Sequence, residues 1–229
     1  MKTIGLIGGM SWESSAEYYR IINEEAKKRL GGLHSAKCLL YSIDFEEIEI
    51  CQRNGEWEKA AQILTDAAYC LQLAGVDFIV ICTNTMHKVV NEIQANINIP
   101  ILHIADITAQ KVLSCGIKTV GLLGTKYTME QDFYKSRLEE KGIKVLIPKE
   151  SDRVIVNTVI YNELCLGKIV EESRVKYKRI IEDLIGQGAE GIILGCTEIG
   201  LLVKPGDATV PLFDTTLLHA LGAVDFALE

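Results

Sequence analysis

The sequence predicts an α/β protein made of two pseudo-symmetric, doubly wound parallel-sheet domains with the active site in the cleft between them. Short apolar runs alternate with amphipathic stretches along the chain, which is typical of parallel strands connected by helices. The pattern of the first half recurs in the second half, and a length of 229 residues fits two domains better than one.

Four apolar runs in the first half predict strands. They occupy residues 3–7, 38–43, 78–82 and 99–103. The run at 78–82 is apolar throughout, as expected for a strand that is buried on both faces of a parallel sheet. Amphipathic stretches predict helices at 14–30, 57–74 and 87–95, and glycines follow the first two.

The second half restarts this cycle after a predicted helix at 108–115. A strand is predicted at 119–123, and a later strand ends in the small polar pair Cys196 and Thr197. The segment that ends near residue 213 is predicted to lead the chain back to the first half. We therefore expect an N-terminal domain of residues 1–103 plus 213–229 and a C-terminal domain of residues 104–212.

Two pairs of segments show the internal repeat. Residues 2–9, Lys-Thr-Ile-Gly-Leu-Ile-Gly-Gly, match residues 118–125, Lys-Thr-Val-Gly-Leu-Leu-Gly-Thr. Residues 75–84 match residues 188–197, in the same order and with nearly the same spacing. Any two parallel strands share valine, isoleucine and leucine, but the matching glycines and the Lys-Thr pair favour a duplication.

The repeat aligns Thr83 with Cys196, and each residue follows the end of a predicted strand. Ligands of open parallel sheets bind beyond the carboxyl ends of the strands, so both side chains are expected to line one cleft. A base and an acid on opposite faces of one carbon can remove and return a proton with inversion of the stereocentre. The pair therefore predicts proton transfer at a small substrate, with N–H donors to stabilise the carbanion.

Each strand end also has a simpler interpretation. Thr83 or Asn84 could cap the following helix, or free N–H groups could hold a carboxylate there together with Asn84 and Thr85. Cys196 could be a packing residue. At the N-terminus of a helix, however, its thiol is expected to have a lowered pKa and to favour the thiolate.

Composition argues against several classes of protein. A formal net charge of −7 is unfavourable for a nucleic-acid-binding surface. The seven cysteines are odd in number and form no CxxC motif, which predicts free thiols in a cytoplasmic protein rather than disulfides or a zinc site. The sequence has no signal-peptide pattern, no apolar run of membrane-spanning length and no metal, dinucleotide or phosphate-loop motif.

Three motifs give the sequence a specific resemblance. They are Gly8-Gly9-Met10-Ser11-Trp12, Thr83-Asn84-Thr85 and Gly195-Cys196-Thr197-Glu198. In this order they resemble the aspartate/glutamate racemase superfamily, in its aspartate-racemase branch, and the resemblance spans nearly the whole chain. It implies an amino-acid racemase that uses no pyridoxal phosphate or other cofactor, with Thr83 and Cys196 as the catalytic residues. Because relatives of this kind are commonly homodimers, a homodimer is one expectation for the assembly.

The resemblance also implies a set of substrate-binding residues. These are Met10, Gln52, Asn84, Thr85, Lys168, Thr197 and Glu198, with weaker support for Thr125. Lys168 matches a lysine that holds a substrate carboxylate, and Gln52 lies near a position that contacts the side-chain carboxylate. The simpler interpretation is a solvated surface charge for Lys168 and a polar loop residue for Gln52.

Thr83 is the main departure from the family pattern, because most members have a cysteine at this position. The neighbouring Cys82 is shifted by one residue, which turns its side chain to the other face of a strand. A threonine hydroxyl is a far weaker acid than a thiol and a reluctant base. We therefore expect the enantiomer whose α-proton faces Cys196 to exchange that proton much faster than the other. His87 is predicted either to tune a proton network near Thr83 or to be an ordinary hydrogen-bonded helix residue.

Two other functions stay open at this point. Loss of the second cysteine is compatible with a related enzyme that uses one cysteine, such as a decarboxylase or a cis–trans isomerase. Outside the enzymes, the alternative is a protein that only binds small anions or amino acids.

Overall fold

A computed structural model describes every residue of the chain, Met1–Glu229. The residues form two compact units, one of Met1–His103 with His219–Glu229 and one of Ile104–Leu218. Each unit contains a four-stranded parallel sheet with flanking helices, which confirms the predicted two-domain α/β fold. All seven cysteines are free. None of the helices combines the length and the apolar character that crossing a membrane requires.

The first unit begins with an apolar strand that lies inside its sheet. Its strands are β1 (Ile4–Gly8), β2 (Cys38–Ser42), β3 (Phe78–Ile81) and β4 (Ile101–Leu102), in the order β2-β1-β3-β4. Its helices are α1 (Trp12–Leu30), α2 (Phe45–Asn54), α3 (Trp57–Leu73) and α4 (Val90–Gln94), and a 3-10 helix, Thr85–Val89, precedes α4. All neighbouring strands are parallel, so β1 and β3 end at the same edge of the sheet.

The second unit has the same arrangement. Its strands are β5 (Thr119–Gly124), β6 (Lys144–Leu146), β7 (Gly191–Gly195) and β8 (Leu212–Asp214), in the order β6-β5-β7-β8. Its helices are α5 (Ile104–Ser114), α6 (Lys126–Glu130), α7 (Asp132–Glu139), α8 (Glu150–Asn162), α9 (Glu171–Gly186) and α10 (Ile199–Leu202), with 3-10 turns at Leu164–Leu166 and Pro205–Asp207. The last helix, α11 (Thr215–Leu228), starts in the second unit and continues in the first.

The chain returns to the first unit at residue 219, whereas the sequence places this crossing at 213. β8 pairs with β7 and completes the second sheet, with Phe213 opposite Ile193. Phe213 also packs in an apolar cluster of the second unit that contains Val120 and Ile193. Because this strand belongs to the second sheet, residues 213–218 stay with the second unit.

Side chains of β3 alternate between two apolar cores. Phe78 and Val80 pack in a cluster with residues of α1 and α11, whereas Ile79 and Ile81 pack in a cluster with residues of α3. Both faces of the strand are therefore buried, which explains why its sequence is apolar throughout.

The glycine turn after β1 packs tightly against the segment that follows β2. Gly9 has a φ of 92°, and a Cβ at this position would lie 2.0 Å from the carbonyl oxygen of Ile43. The Gly9 N–H donates to Oγ of Ser15 (2.8 Å), and Ser11 caps α1 by accepting from the N–H of Ser14. Only glycine fits this position, so the residue fixes the path from β1 into α1.

In the first unit, two helical segments differ from the prediction. The prediction omits α2, although Asp44 caps it and Gly55 ends it in a left-handed conformation. The helix predicted at 87–95 starts earlier, as a 3-10 helix at Thr85, and becomes α-helical only at Val90. Short 3-10 turns are frequent at the N-termini of α-helices, and here one connects the end of β3 to α4.

Candidate active site

The first candidate half-site lies directly after β3. The N–H of Cys82 donates to the carbonyl of Ile7 (2.9 Å), which extends the pairing of β3 with β1 by one residue. The Cys82 side chain is fully buried in the cluster that contains Phe78 and Val80. Burial raises the pKa of its thiol, so Cys82 is a neutral core residue and does not take the place of Thr83.

Thr83 is partly buried, and hydrogen bonds hold its main chain on both sides. Its N–H donates to the carbonyl of Ile81 (2.9 Å), and its own carbonyl accepts from Nδ1 of His87 (2.8 Å). The Thr83 hydroxyl makes no hydrogen bond within the chain. The side chain is therefore positioned through its backbone and not through a partner of its oxygen.

Asn84 and Thr85 follow at the start of the 3-10 helix. Both side chains are buried, with 2% and 5% of their surface exposed. Asn84 has right-handed helical backbone angles, whereas an N-cap residue is extended, and no side chain caps this helix. The predicted role of Thr83 or Asn84 as a helix cap is therefore wrong.

The structure brings Gln52 and Met10 into the same region of the first unit. Gln52 lies in α2, not in a loop, and its side chain is buried. Its Nε2 lies 3.2 Å from Sδ of Met86, the residue that follows Thr85. Met10 and Met86 pack in one apolar cluster. Residues from the glycine turn, α2 and the 3-10 helix thus meet at the edge of the sheet where β1 and β3 end.

The second candidate half-site lies directly after β7 and centres on a thiol–carboxylate contact. Cys196 is buried, and its Sγ donates to Oε2 of Glu198 across 3.0 Å. The hydroxyl of Thr197 donates to the same oxygen (2.8 Å). Glu198 is itself only 2% exposed, so a thiol and a hydroxyl both donate to one buried carboxylate.

The prediction that a helix dipole lowers the pKa of the Cys196 thiol is wrong. Burial, followed by the nearby Glu198 carboxylate, holds the pKa of the Cys196 thiol well above its ordinary value. α10 has only four residues, so it provides little dipole to offset these two effects. Cys196 is therefore a protonated thiol with a carboxylate as its hydrogen-bond acceptor.

Lys168 lies in a turn close to the cluster around Cys196. It follows the 3-10 turn Leu164–Leu166 and Gly167, which has a left-handed conformation. Cys165 in this turn packs against the apolar cluster that contains Cys196. Lys168 is exposed and forms no ion pair within the chain. Its ammonium group is thus available to an anionic ligand.

Thr125, the counterpart of Gly9 in the repeat, has a structural role in the second unit. It is buried and caps α6 by accepting from the N–H of Thr128. Its position at the end of β5 matches that of the glycine turn at the end of β1.

Comparison with known proteins covers nearly the whole chain. Residues 7–223 match the family model described as Asp/Glu/Hydantoin racemase. The chain belongs to this racemase family.

Three relatives of this racemase-family protein match it over almost their full lengths. The broad specificity amino-acid racemase RacX of Bacillus subtilis is 25% identical over 229 residues, which cover 96% of each chain. A crystal structure from Yersinia pestis, attributed to an Asp/Glu racemase, is 58% identical with a TM-score of 0.93 and covers 100% of both chains. An aspartate racemase homologue from Pyrococcus horikoshii OT3 is 36% identical with a TM-score of 0.86, again over 100% of both chains. The protein is thus an enzyme of the isomerase class, related to racemases that act on amino acids.

Sequence reasoning missed residues of this racemase-family protein that hold the end of β7. Oγ1 of Thr215 donates to the carbonyl of Leu194 (2.8 Å), and Oγ1 of Thr216 donates to the carbonyl of Thr197 (3.4 Å). The Asp-Thr-Thr run that begins with the last residue of β8 is the available signal, since Asp214 also accepts from the N–H of Thr216 at the start of α11. The two threonines fix the backbone on both sides of Cys196.

Proposed function

We propose that this enzyme racemises an acidic or related polar amino acid, without pyridoxal phosphate, by proton transfer at Cα between Cys196 and Thr83. The observation that supports this most directly is the Cys196 thiol, which follows a strand end and donates to a buried carboxylate 3.0 Å away. The names of the relatives, a broad specificity amino-acid racemase and an aspartate racemase homologue, support the substrate class.

Glu198 supplies the acceptor that a protonated thiol needs before it can act as a base. In the proposed step, the thiol proton moves from Sγ of Cys196 to Oε2 of Glu198, and the thiolate then takes the α-proton of the substrate. The electron pair of the Cα–H bond stays on the carbanion. Because the pKa of Cys196 is held high, the thiolate is a strong base for a weakly acidic α-proton.

Thr83 acts from the opposite face of the carbanion in this proposal. Its hydroxyl gives a proton to Cα, the resulting alkoxide recovers a proton from solvent, and Glu198 releases to solvent the proton that it took from Cys196. A hydroxyl is a weaker acid than a thiol, so this step is slower than return of the proton from Cys196. Abstraction of an α-proton by Thr83 is slower still, because its hydroxyl has no hydrogen-bonded base within the chain.

Polar side chains and Met10 supply the proposed contacts to the substrate. Lys168 is exposed and outside any ion pair, and we assign it to a substrate carboxylate. The remaining proposed binding residues are Met10, Gln52, Asn84, Thr85, Thr197 and Glu198. Two carboxylates on the substrate would explain a site with both a lysine and several neutral donors.

A reaction that needs one cysteine is the second candidate function, and the threonine at position 83 favours it. In a decarboxylation, carbon dioxide leaves and Cys196 protonates the carbanion on one face. A protein that only binds its ligand is the remaining alternative. The three functions differ in what happens to the α-proton and to the carboxylate.

One experiment separates them. Purified enzyme is incubated in heavy water with single enantiomers of aspartate and of glutamate, and the α-proton signal, the optical rotation and carbon dioxide release are followed. The proposal expects deuterium at Cα and slow inversion, without release of carbon dioxide. Both the exchange and the inversion are expected to be lost in Cys196→Ser. Carbon dioxide release would favour the decarboxylase. Thermal stabilisation by the amino acid without any exchange would contradict catalysis and favour the binding protein.

A further inference from the structure

Three of the four histidines of the chain lie together inside the first unit, beside the segment that follows β3. His87, His103 and His219 are only 1%, 5% and 0% exposed. The ring centroids of His87 and His103 are 4.5 Å apart, and those of His87 and His219 are 5.8 Å apart. The proposed proton transfers use none of these rings.

Hydrogen bonds to carbonyl groups fix which ring nitrogens are protonated. A carbonyl oxygen only accepts, so Nδ1 of His87, 2.8 Å from the carbonyl oxygen of Thr83, bears a proton. For the same reason Nε2 of His219 bears the proton that it donates to the carbonyl of Leu102 (2.8 Å). Nδ1 of neutral His219 then accepts from the hydroxyl of Tyr18, 2.8 Å away. The protonated nitrogens and the orientations of the His87 and His219 rings are thus defined.

The histidine cluster connects the Thr83 segment to the framework of the first unit. Leu102 lies in β4, opposite Val80 of β3, and Tyr18 lies in α1. His103 ends the first stretch of the unit, and His219 begins the stretch that returns to it. His87 is therefore packed against His219, a residue of α11 whose ring is hydrogen-bonded to β4 and α1.

The peptide groups on both sides of Thr83 are held by hydrogen bonds. On one side, the carbonyl of Cys82 accepts from Oγ of Ser14 (3.3 Å), and the Thr83 N–H donates to the carbonyl of Ile81. On the other side, the Thr83 carbonyl accepts from His87. Two fixed peptide planes fix the direction of the Cα–Cβ bond between them, and a β-branched side chain then has few rotamers left.

We propose that His87 is a positioning residue for Thr83, because its Nδ1–H holds the Thr83 carbonyl and thereby directs the Thr83 hydroxyl towards the substrate. The rings of His103 and His219 pack against the His87 ring and support it. This inference rests on the proposed function. A small displacement of a reacting group can lower a rate by roughly 100-fold, so loss of this bond affects the step at Thr83 far more than the step at Cys196.

Three substitutions at His87 test the inference in the full-length enzyme. His87→Asn keeps an N–H donor near the position of Nδ1, His87→Gln places its amide near the position of Nε2, and His87→Leu has no donor. For each variant, deuterium exchange is measured separately on the two enantiomers of the amino acid, together with the rate of inversion. The fast-exchanging enantiomer reports on Cys196, and inversion reports on Thr83.

We expect His87→Leu and His87→Gln to lower the rate of inversion by roughly 10- to 100-fold, while exchange of the fast enantiomer stays within about threefold of wild type. His87→Asn should recover most of the inversion rate. If the His87→Leu variant does not fold, comparison of His87→Gln with His87→Asn still tests the positioning role. Equal losses in both rates, or an Asn variant no better than Gln, would overturn the positioning role alone. A wild-type enzyme without exchange on either enantiomer would instead overturn the proposed function and, with it, this inference.

Discussion

The two strand ends that the repeat aligns share a scaffold but differ in how their central residue is held. Both units have the same strand order, and both candidate residues follow the third strand of their unit in the chain. At the second strand end, the Cys196 side chain donates to a carboxylate. At the first, hydrogen bonds fix the Thr83 main chain, and the hydroxyl has no partner. One half thus gives its central side chain a proton acceptor, whereas the other fixes only the orientation of its central residue.

The supporting groups differ in the same sense. Around Cys196, Glu198 accepts a hydrogen bond from the thiol itself, and two threonines hold the backbone at the β7 end. Around Thr83, Ser14 and His87, whose buried ring is packed against other histidines, bind only main-chain carbonyls. In the proposed reaction, the two halves of the duplicated fold therefore keep one backbone geometry and act in different steps.

The largest difference between the halves is expected for removal of the thiol. Cys196→Ser replaces it by a much weaker acid, so we predict a loss of roughly 10²- to 10⁴-fold in exchange and in inversion. The measurement is deuterium incorporation at Cα. Cys165→Ser is the matched control, because Cys165 packs against the same cluster but is expected to retain most of the activity. Comparable losses of activity in both variants would show that the reaction depends on the packing of the cluster and not on the Cys196 sulfur.

The glycine turn of the first half is expected to tolerate no side chain. Gly9→Ala combines a positive φ of 92° with a contact of 2.0 Å to a backbone oxygen, so we predict a loss of about 3–5 kcal/mol in the free energy of unfolding. Gly75→Ala is the control, since Gly75 has a φ of 82° but nothing within 4 Å of the added Cβ. Its expected cost is only about 1–2 kcal/mol, from the backbone conformation. Urea unfolding of both variants decides, and equal costs would contradict the tight packing of this turn.

Acidification is expected to destabilise the enzyme through His219, one of the buried histidines of the first unit. Burial lowers the pKa of His219 from 6.5 to about 4. Between these values the unfolded chain binds a proton that the folded protein excludes, so stability decreases as the pH falls from about 6.5 to about 4. The full effect is about 3 kcal/mol.

Unfolding free energies measured across this pH range test the effect. His219→Gln is expected to be less stable at pH 7 but to lose this part of the pH dependence, whereas substitution of the exposed His34 by glutamine should leave the dependence unchanged. An unchanged pH dependence in His219→Gln would assign the effect to other groups.

A smaller effect is expected at the thiol of the second half. Glu198→Gln removes the negative charge beside Sγ, so we predict a lower pKa of Cys196 and faster alkylation of Cys196 by iodoacetamide at a given pH. Mass spectrometry of the Cys196 peptide gives the rate. Glu163→Gln is the control, because this carboxylate contributes to the raised pKa of Tyr177 and not to that of Cys196. Slower alkylation of the Glu198 variant would contradict the described electrostatics.

The sequence predicts those features of the fold that arise from local pattern. Alternating apolar runs and matched glycines were sufficient for two parallel sheets, and the repeat alone aligned Thr83 with Cys196. α2 was missed although its signals, Asp44 and Gly55, are local. Capping residues therefore indicate this helix independently of apolar periodicity.

Features that depend on tertiary packing were not accessible in this way. The raised pKa of Cys196 follows from burial and from the orientation of the Glu198 side chain, neither of which a helix-start pattern contains. His103 and His219 are 116 positions apart in the chain and come together only because α11 returns to the first unit. The crossing at 219 likewise depends on β8 pairing with β7.

The difference between a thiol and a hydroxyl at the two strand ends can be measured directly as the ratio of exchange rates for the two enantiomers of one amino acid in heavy water. For the wild-type enzyme we predict a ratio of at least about tenfold, which Thr83→Cys reduces by accelerating the slow enantiomer. Equal exchange of both enantiomers by the wild-type enzyme would contradict the central claim that only the Cys196 side is an effective base.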